Sequence, residues 1–184
     1  MVFLCAQPSD PDDAMVGMKQ MAEQPRQTHS ERPVLIIGWM EYVDLPDLGL
    51  LDLKAKIDTG ARTSAIHATD ITTFKKGDED WVRFTTHATE QAEFVTLESR
   101  VHSSRSIKNT SGVPEERIVI RTKFRLARRM WTIDLSLTDR KNMTFGLIVG
   151  RTALKNHSIA VHTRRALLTK GRPNQSRKAE KDLP

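Results

Sequence analysis

Between Val34 and Leu168, apolar residues recur at every second position more often than at every third or fourth. That period belongs to strands, whose side chains alternate between two faces. Leu51, Leu53, Ala55 and Ile57 alternate with Asp52, Lys54 and Lys56, and Val95, Leu97 and Val101 flank Thr96, Glu98 and Arg100. Ile118, Ile120, Thr122, Phe124 and Leu126 form one face of a third strand, with Arg117, Val119, Arg121, Lys123 and Arg125 on the other. Trp131, Ile133, Leu135 and Leu137 repeat the pattern. Shorter runs at Val34–Trp39, Trp81–Thr85, Leu147–Val149, Ile159–Val161 and Ala166–Leu168 read as further strands. Short strands at this spacing predict an all-β barrel or sandwich. One short helix is expected at Thr152–Lys155, and no internal repeat is present.

Val101–Lys108 and Pro114–Arg121 read as the arms of a hairpin, and Asn109-Thr110-Ser111-Gly112 has the residues of a tight turn. Such a hairpin is either an ordinary surface feature or a flap over a site.

The ends lack this pattern. Residues 1–32, polar, Met-rich and divided by Pro8, Pro11 and Pro25, read as a flexible leader. Residues 170–184 (KGRPNQSRKAEKDLP) read as a basic disordered tail, which leaves 33–169 as the folded domain. Met1–Ala6 is too short for an export core and no basic residue precedes it, so a cytoplasmic protein is expected. At 184 residues the chain has room for one domain with tails. Cys5, the only cysteine, excludes a disulfide-stapled module and a zinc site of several thiolates. No apolar run approaches the roughly 20 residues of a membrane helix, so no membrane partner is expected. The 29 Lys and Arg outnumber 23 Asp and Glu, a net charge of +6 that favours anionic partners. The few aromatic residues do not cluster with the basic ones, which argues against nucleic acid held by base stacking.

The candidate chemistry begins at Ile57-Asp58-Thr59-Gly60-Ala61, at the end of an alternating strand. A bare Asp-Thr-Gly is also what a strand ending in an Asx turn looks like. Its context is more specific. The strand delivers a carboxylate, Thr59 can hold the loop through its hydroxyl, and Gly60 lets another backbone or a substrate approach closely. Much later comes Gly146-Leu147-Ile148-Val149-Gly150-Arg151, followed by the helical turn. Strand, Asp-Thr-Gly loop, hairpin and apolar-Gly-Arg-helix is the order of a retropepsin lobe.

The fifteen residues Lys54–Ala68 (KAKIDTGARTSAIHA) resemble the signature of bacterial retropepsin-like aspartic endopeptidases, also known as RimK-associated ATP-dependent zinc proteases. Ile37-Gly38-Trp39, Leu45-Pro46, Trp81–Phe84, Glu116–Thr122, Leu137–Arg140 and Val149–Leu154 extend the likeness over about 34–168. It departs from the family at Phe145-Gly146-Leu147 and Val161-His162-Thr163, both away from Asp58. The resemblance implies an all-β, retropepsin-like closed barrel with one short C-terminal helix. It implies an aspartic-type endopeptidase needing no cofactor, with Asp58, Thr59 and Gly60 as catalytic residues and Ala61 and Arg62 beside the substrate. Two words in the family's older name fail a chemical check. ATP would want a Gly-x-x-x-x-Gly-Lys-Ser/Thr phosphate loop, which the sequence lacks. Zinc would want a ligand set, and His29, His67, His87, His102, His157 and His162 form no His-Glu-x-x-His. His67, nearest Asp58, is expected to be a strand residue with an ordinary hydrogen bond, and no metal is expected.

An aspartic peptidase needs two carboxylates about 3 Å apart that share one proton. The chain has one Asp-Thr-Gly, and Asp139 in Thr138-Asp139-Arg140 reads as a solvent-facing turn. The expectation is therefore a homodimer with Asp58 from each chain on its axis. Arg117, Arg121 and Lys123 share a strand face with Arg125 and are expected to bind substrate, with Arg128 and Arg129 in the next turn and Arg100, Arg105 and Lys108 on the opposite arm. A cluster of like charges is relieved by an anionic ligand, and equally can be a solvated face that guards a sheet edge. With a family tied to a glutamate-adding ligase, the substrate expected is an acidic peptide or poly-glutamate. The alternative is a noncatalytic retropepsin-fold module that binds acidic polypeptide or RNA.

Overall fold

The alternation along Ile118–Leu126 is realised in the strand Pro114–Leu126, where Ile120, Phe124 and Leu126 are fully buried and Arg121 and Lys123 are exposed. The computed structural model describes residues 33–87, 94–108, 112 and 114–169, so the expected leader and basic tail lie outside the described residues. In chain order the strands are β1 (Leu35–Gly38), β2 (Met40–Leu45), β3 (Leu50–Asp58), β4 (Ser64–His67), β5 (Thr69–Lys76), β6 (Glu79–His87), β7 (Phe94–Lys108), β8 (Pro114–Leu126), β9 (Arg129–Thr138), β10 (Leu147–Gly150) and β11 (Ile159–His162). One helix, α1 (Arg151–Leu154), follows β10, and a single 3-10 turn, Pro46–Leu48, joins β2 to β3. Among the described residues no helix is long and apolar enough to cross a membrane.

β1 and β11 form a two-stranded parallel sheet, and the other nine strands run in the order β2-β3-β10-β4-β9-β8-β7-β6-β5. β2 also meets β8, at Val43–Leu126 and Asp44–Arg125, so six of the strands return on themselves as a ring. Two residue pairs at that seam make a ring of strands and not the continuous ladder of the closed barrel expected. Ile37, Val43, Leu45, Leu53, Ile57, Phe84, Phe124, Leu135 and Val149 are part of one buried hydrophobic core drawn from the ring and from β1 and β6. Burying such side chains contributes about 25 cal/mol per Å² of apolar surface removed from water.

Three sequence expectations shift. In β3 the inward set is Leu50, Leu53, Ala55 and Ile57, while Leu51 is exposed, because Asp52 at φ 60° breaks the two-residue phase. Ala166–Leu168 is not a strand; with Leu167 at φ 54°, the segment follows the β1–β2 junction through Arg165 O to Trp39 N and Leu167 N to Met40 O. There the buried carboxylate of Glu41 accepts the N–H groups of Gly38, Leu168 and Thr169. β2, β4 and β5 escaped the pattern because β2 buries the charged Glu41 and Asp44, β4 is buried at all four positions and β5 is a polar strand on the sheet edge.

Candidate active site

Asp58 is the last residue of β3, and the chain turns back through 59–63 before β4 begins at Ser64. β10 lies between these strands, parallel to β3 with Gly150 opposite Asp58 and antiparallel to β4 with Leu147 opposite Ile66. The end of β10 therefore abuts the Asp58 loop. Contact is so close that a Cβ on Gly150 would sit 2.5 Å from the carbonyl carbon of Thr63. Gly150 N donates to the buried Ser64 Oγ at 3.1 Å. Arg151 N donates to Ala61 O at 2.9 Å and Thr152 N to Arg62 O at 3.1 Å. The first N–H groups of α1, which have no partner within a helix, thus hold the loop.

Within that loop, Asp58 Oδ1 accepts the N–H groups of Gly60 and Ala61, each at 3.2 Å. Asp58 Oδ2 takes no backbone donor among the described residues and accepts Lys56 Nζ at 3.1 Å. Burial pushes the Asp58 pKa upward, but the Lys56 ammonium and the two N–H groups outweigh it and hold the carboxyl below the usual range.

A cavity of about 1600 Å³ opens over Asp58. Arg105 and Ile107 of β7, Glu115 and Arg117 of β8, and Arg140 and Phe145 of the loop after β9 are among its walls. β7 and β8 are paired from Val101–Ile120 to Lys108–Pro114, so the predicted hairpin exists and its end borders the cavity. Asn109, Thr110 and Ser111 of its turn lie outside the described residues, and Gly112 has φ 78°.

The structure sorts the expected site residues into two groups. Gly60, Ala61, Arg62 and Arg117 line the cavity with Asp58, and Thr59 is exposed on the same loop. Arg121 and Lys123 do not line it. Arg121 pairs with Asp134 at 3.0 Å and touches His102 at 2.7 Å, Lys123 lies 3.7 Å from Asp47, and Arg125 binds Asp44 at 2.7 Å. The expected self-repulsion of this face is thus relieved within the chain, by carboxylates on neighbouring elements. Asp139 is half-exposed on the cavity wall, 3.5 Å from His67 Nδ1, and accepts Lys141 N at 2.9 Å. His67 is a buried residue of β4 whose Nδ1 accepts Arg140 N at 2.9 Å. Among the described residues no three His, Cys, Asp or Glu side chains converge, so they assemble no donor set for zinc.

Lys56 and Arg140 were not singled out as site residues from the sequence, whereas Arg105 was named there only within the basic arm opposite Arg117. For Lys56 a signal was present, since it stands two positions before Asp58 and shares its strand face. Arg140 had none of that kind, because a loop residue has no periodicity.

Residues 36–171 match the family described as "Retropepsin-like aspartic endopeptidase RimB". A probable alpha-L-glutamate ligase of Desulfotalea psychrophila is 40% identical over 126 residues, 67% of this chain and 27% of the relative. One of Shewanella pealeana is 39% identical over 126 residues, 67% of this chain and 28% of the relative. The chain thus spans about a quarter of the length of these curated relatives. Among solved structures, the protein Lpg0085 of Legionella pneumophila, of unknown function (DUF785), superposes with a TM-score of 0.63 at 30% identity, covering 73% of this chain and 98% of that one.

Proposed function

We propose that this chain, which belongs to the RimB-like family of retropepsin-like aspartic endopeptidases, hydrolyses peptide amide bonds with two Asp58 carboxylates, one from each chain of a homodimer. The observation that carries this reading is the Asp58 environment, with Oδ1 fixed by two backbone N–H groups and Oδ2 left to a side chain only. One carboxylate cannot take a proton and supply another in the same step. A second, about 3 Å away, divides the work. The ionised carboxylate takes a proton from water as the water oxygen bonds to the amide carbon. The protonated one gives its proton to the carbonyl oxygen. Collapse of the tetrahedral intermediate breaks the C–N bond: the carboxyl that took the proton from water gives it to the leaving amine, and the other carboxylate takes back a hydroxyl proton as the C=O bond re-forms.

Three features of the protomer favour a partner at this loop. Thr59 is exposed, and its hydroxyl has no hydrogen bond among the described residues. A Cβ on Gly60 would meet only Asp58 Oδ1, at 3.4 Å, among the described residues, so the protomer leaves room at this glycine for a second loop or a substrate. Lys56 beside each Asp58 reduces the repulsion of bringing two carboxylates together. The β7–β8 hairpin then serves as the flap that covers the substrate and excludes water.

The substrate we assign is an acidic, glutamate-rich peptide. The curated relatives are named for glutamate ligation, yet the match is about a quarter of their length. Hydrolysis of a glutamate chain is the chemistry that joins a retropepsin-like site to such relatives. The dyad must keep one proton while substrate carboxylates stay ionised. Activity is therefore expected between mildly acidic and neutral pH, and should fall as salt screens the ion pairs. The test is mass-spectrometric detection of cleavage of poly-L-glutamate by the wild type and by Asp58→Asn. Asparagine can still accept both loop N–H groups, so the variant should keep its melting temperature and lose cleavage. Cleavage that survives the substitution overturns the reading.

A further inference from the structure

Five cations line the cavity over Asp58, and their surroundings differ. Lys56 contacts Asp58 at 3.1 Å, Arg105 contacts Asp134 at 2.8 Å and Arg117 contacts Glu115 at 2.8 Å. Arg62 is exposed and solvated. Arg140 is half-buried, and no carboxylate of the described residues lies within ion-pair distance of it. Its Nε donates to Phe145 O at 3.1 Å, which leaves the two terminal nitrogens without a hydrogen bond among the described residues. The residue is held from both sides, because its backbone N–H donates to Nδ1 of buried His67. Its surroundings disfavour the cation: burial first and the charge of Arg117 second lower the Arg140 pKa, with Asp58 opposing them. The Arg117 side chain is itself only 12% exposed. Two guanidinium groups on the wall of one cavity, one half-buried with no carboxylate among the described residues and the other largely buried, carry an electrostatic cost. Arg140 also presents a free planar fork, the geometry that takes a carboxylate through two parallel hydrogen bonds.

We propose that Arg140, with Arg117 beside it, is the subsite that binds a side-chain carboxylate of the substrate in the Asp58 cavity. Selection of an acidic peptide then lies with these two residues and not with Arg121 and Lys123, which do not line the cavity and pair with Asp134 and Asp47. The inference rests on the proposed peptidase for its effect on turnover, while the binding of carboxylate can be read without turnover. Lysine replaces Arg140 only in part, because a point charge lacks the fork.

The experiment uses the full chain carrying Asp58→Asn and fluorescence anisotropy with labelled oligoglutamate and oligoglutamine of equal length. Oligoglutamate should bind more tightly. Adding Arg140→Gln should reduce the glutamate-to-glutamine affinity ratio roughly ten- to a hundredfold, and Arg140→Lys should recover only part of it. Arg117→Gln should lower the same ratio, and it decides the matter if Arg140→Gln fails to fold. No preference for oligoglutamate in the parent overturns the proposal, as does an unchanged ratio in a folded Arg140→Gln or, failing that, in Arg117→Gln. If the wild type cleaves neither peptide but the ratio depends on Arg140, the peptidase reading falls and the subsite stands. If it cleaves both equally and independently of Arg140, the subsite falls and the peptidase stands.

Discussion

Asp58 and Lys56 show how a strand's two-residue period becomes chemistry. Because Lys56 lies two positions back on the same face, its ammonium reaches Asp58 Oδ2. With the folded pKa of Asp58 below its unfolded value of about 4, its stabilising contribution is complete above that value. It is lost as pH falls through the folded pKa. Lys56→Met should raise the Asp58 pKa, so the gap between stability at neutral and at strongly acidic pH should narrow in urea unfolding. The pH–rate profile of cleavage should also move to higher pH, since both titrations of a carboxylate pair rise when a neighbouring cation is removed. A profile that stays in place would show that Lys56 does not act on the reacting carboxyls.

At the scale of elements, the site depends on how tightly β10 fits against the turn between β3 and β4. Gly150 has φ −82° and ψ 170°, a conformation open to alanine, so any cost of Gly150→Ala is steric. The added carbon would meet the Thr63 backbone at 2.5 to 2.9 Å, with no flexible side chain to move aside. We expect a loss of about 1–3 kcal/mol in denaturant unfolding, together with a larger loss of cleavage as the Asp58 loop is displaced. Ser64→Ala acts on the same joint from the other side. It leaves Gly150 N without its acceptor in a buried place and should cost about 1–3 kcal/mol. Neither effect is expected from Arg121→Ala, because Arg121 is exposed and its ion pair with Asp134 links β8 to β9, not β10 to the Asp58 loop.

The whole molecule, on the proposed reading, is two chains, and stoichiometry can be measured directly. After unfolding and refolding wild type together with an equal amount of Asp58→Asn, random pairing makes about a quarter of the dimers fully wild type. Cleavage should fall to about that fraction of the value for wild type at the same total concentration. Protomers that act alone would retain about half. Sedimentation of the wild type should show a dimer at concentrations where cleavage is seen, and dilution below its dissociation constant should reduce specific activity.

Much of this was carried by local pattern. The periods of β8 and β9, the position of Asp58 at a strand end and the helical turn after Gly150 all follow from rules that act within a few residues, and each is where the sequence places it. Near-neighbour rules reach that far because side-chain direction in a strand depends only on parity. They failed where a single dihedral or a distant contact intervenes. Asp52 inverts the phase of Leu51, and the fully buried β4 has no alternation to read. Ala166–Leu168 gives its N–H groups to Met40 and Glu41, far back in the chain, and not to a ladder. The identity of the cavity's cations was likewise decided only in three dimensions. Arg121 and Lys123 look equivalent to Arg117 along β8, but Asp134 and Asp47 arrive from other elements to neutralise them. Among the described residues, Arg140 keeps a free fork because the fold brings it no carboxylate. A sequence states which charges exist, whereas their pairing depends on which strands the fold makes neighbours.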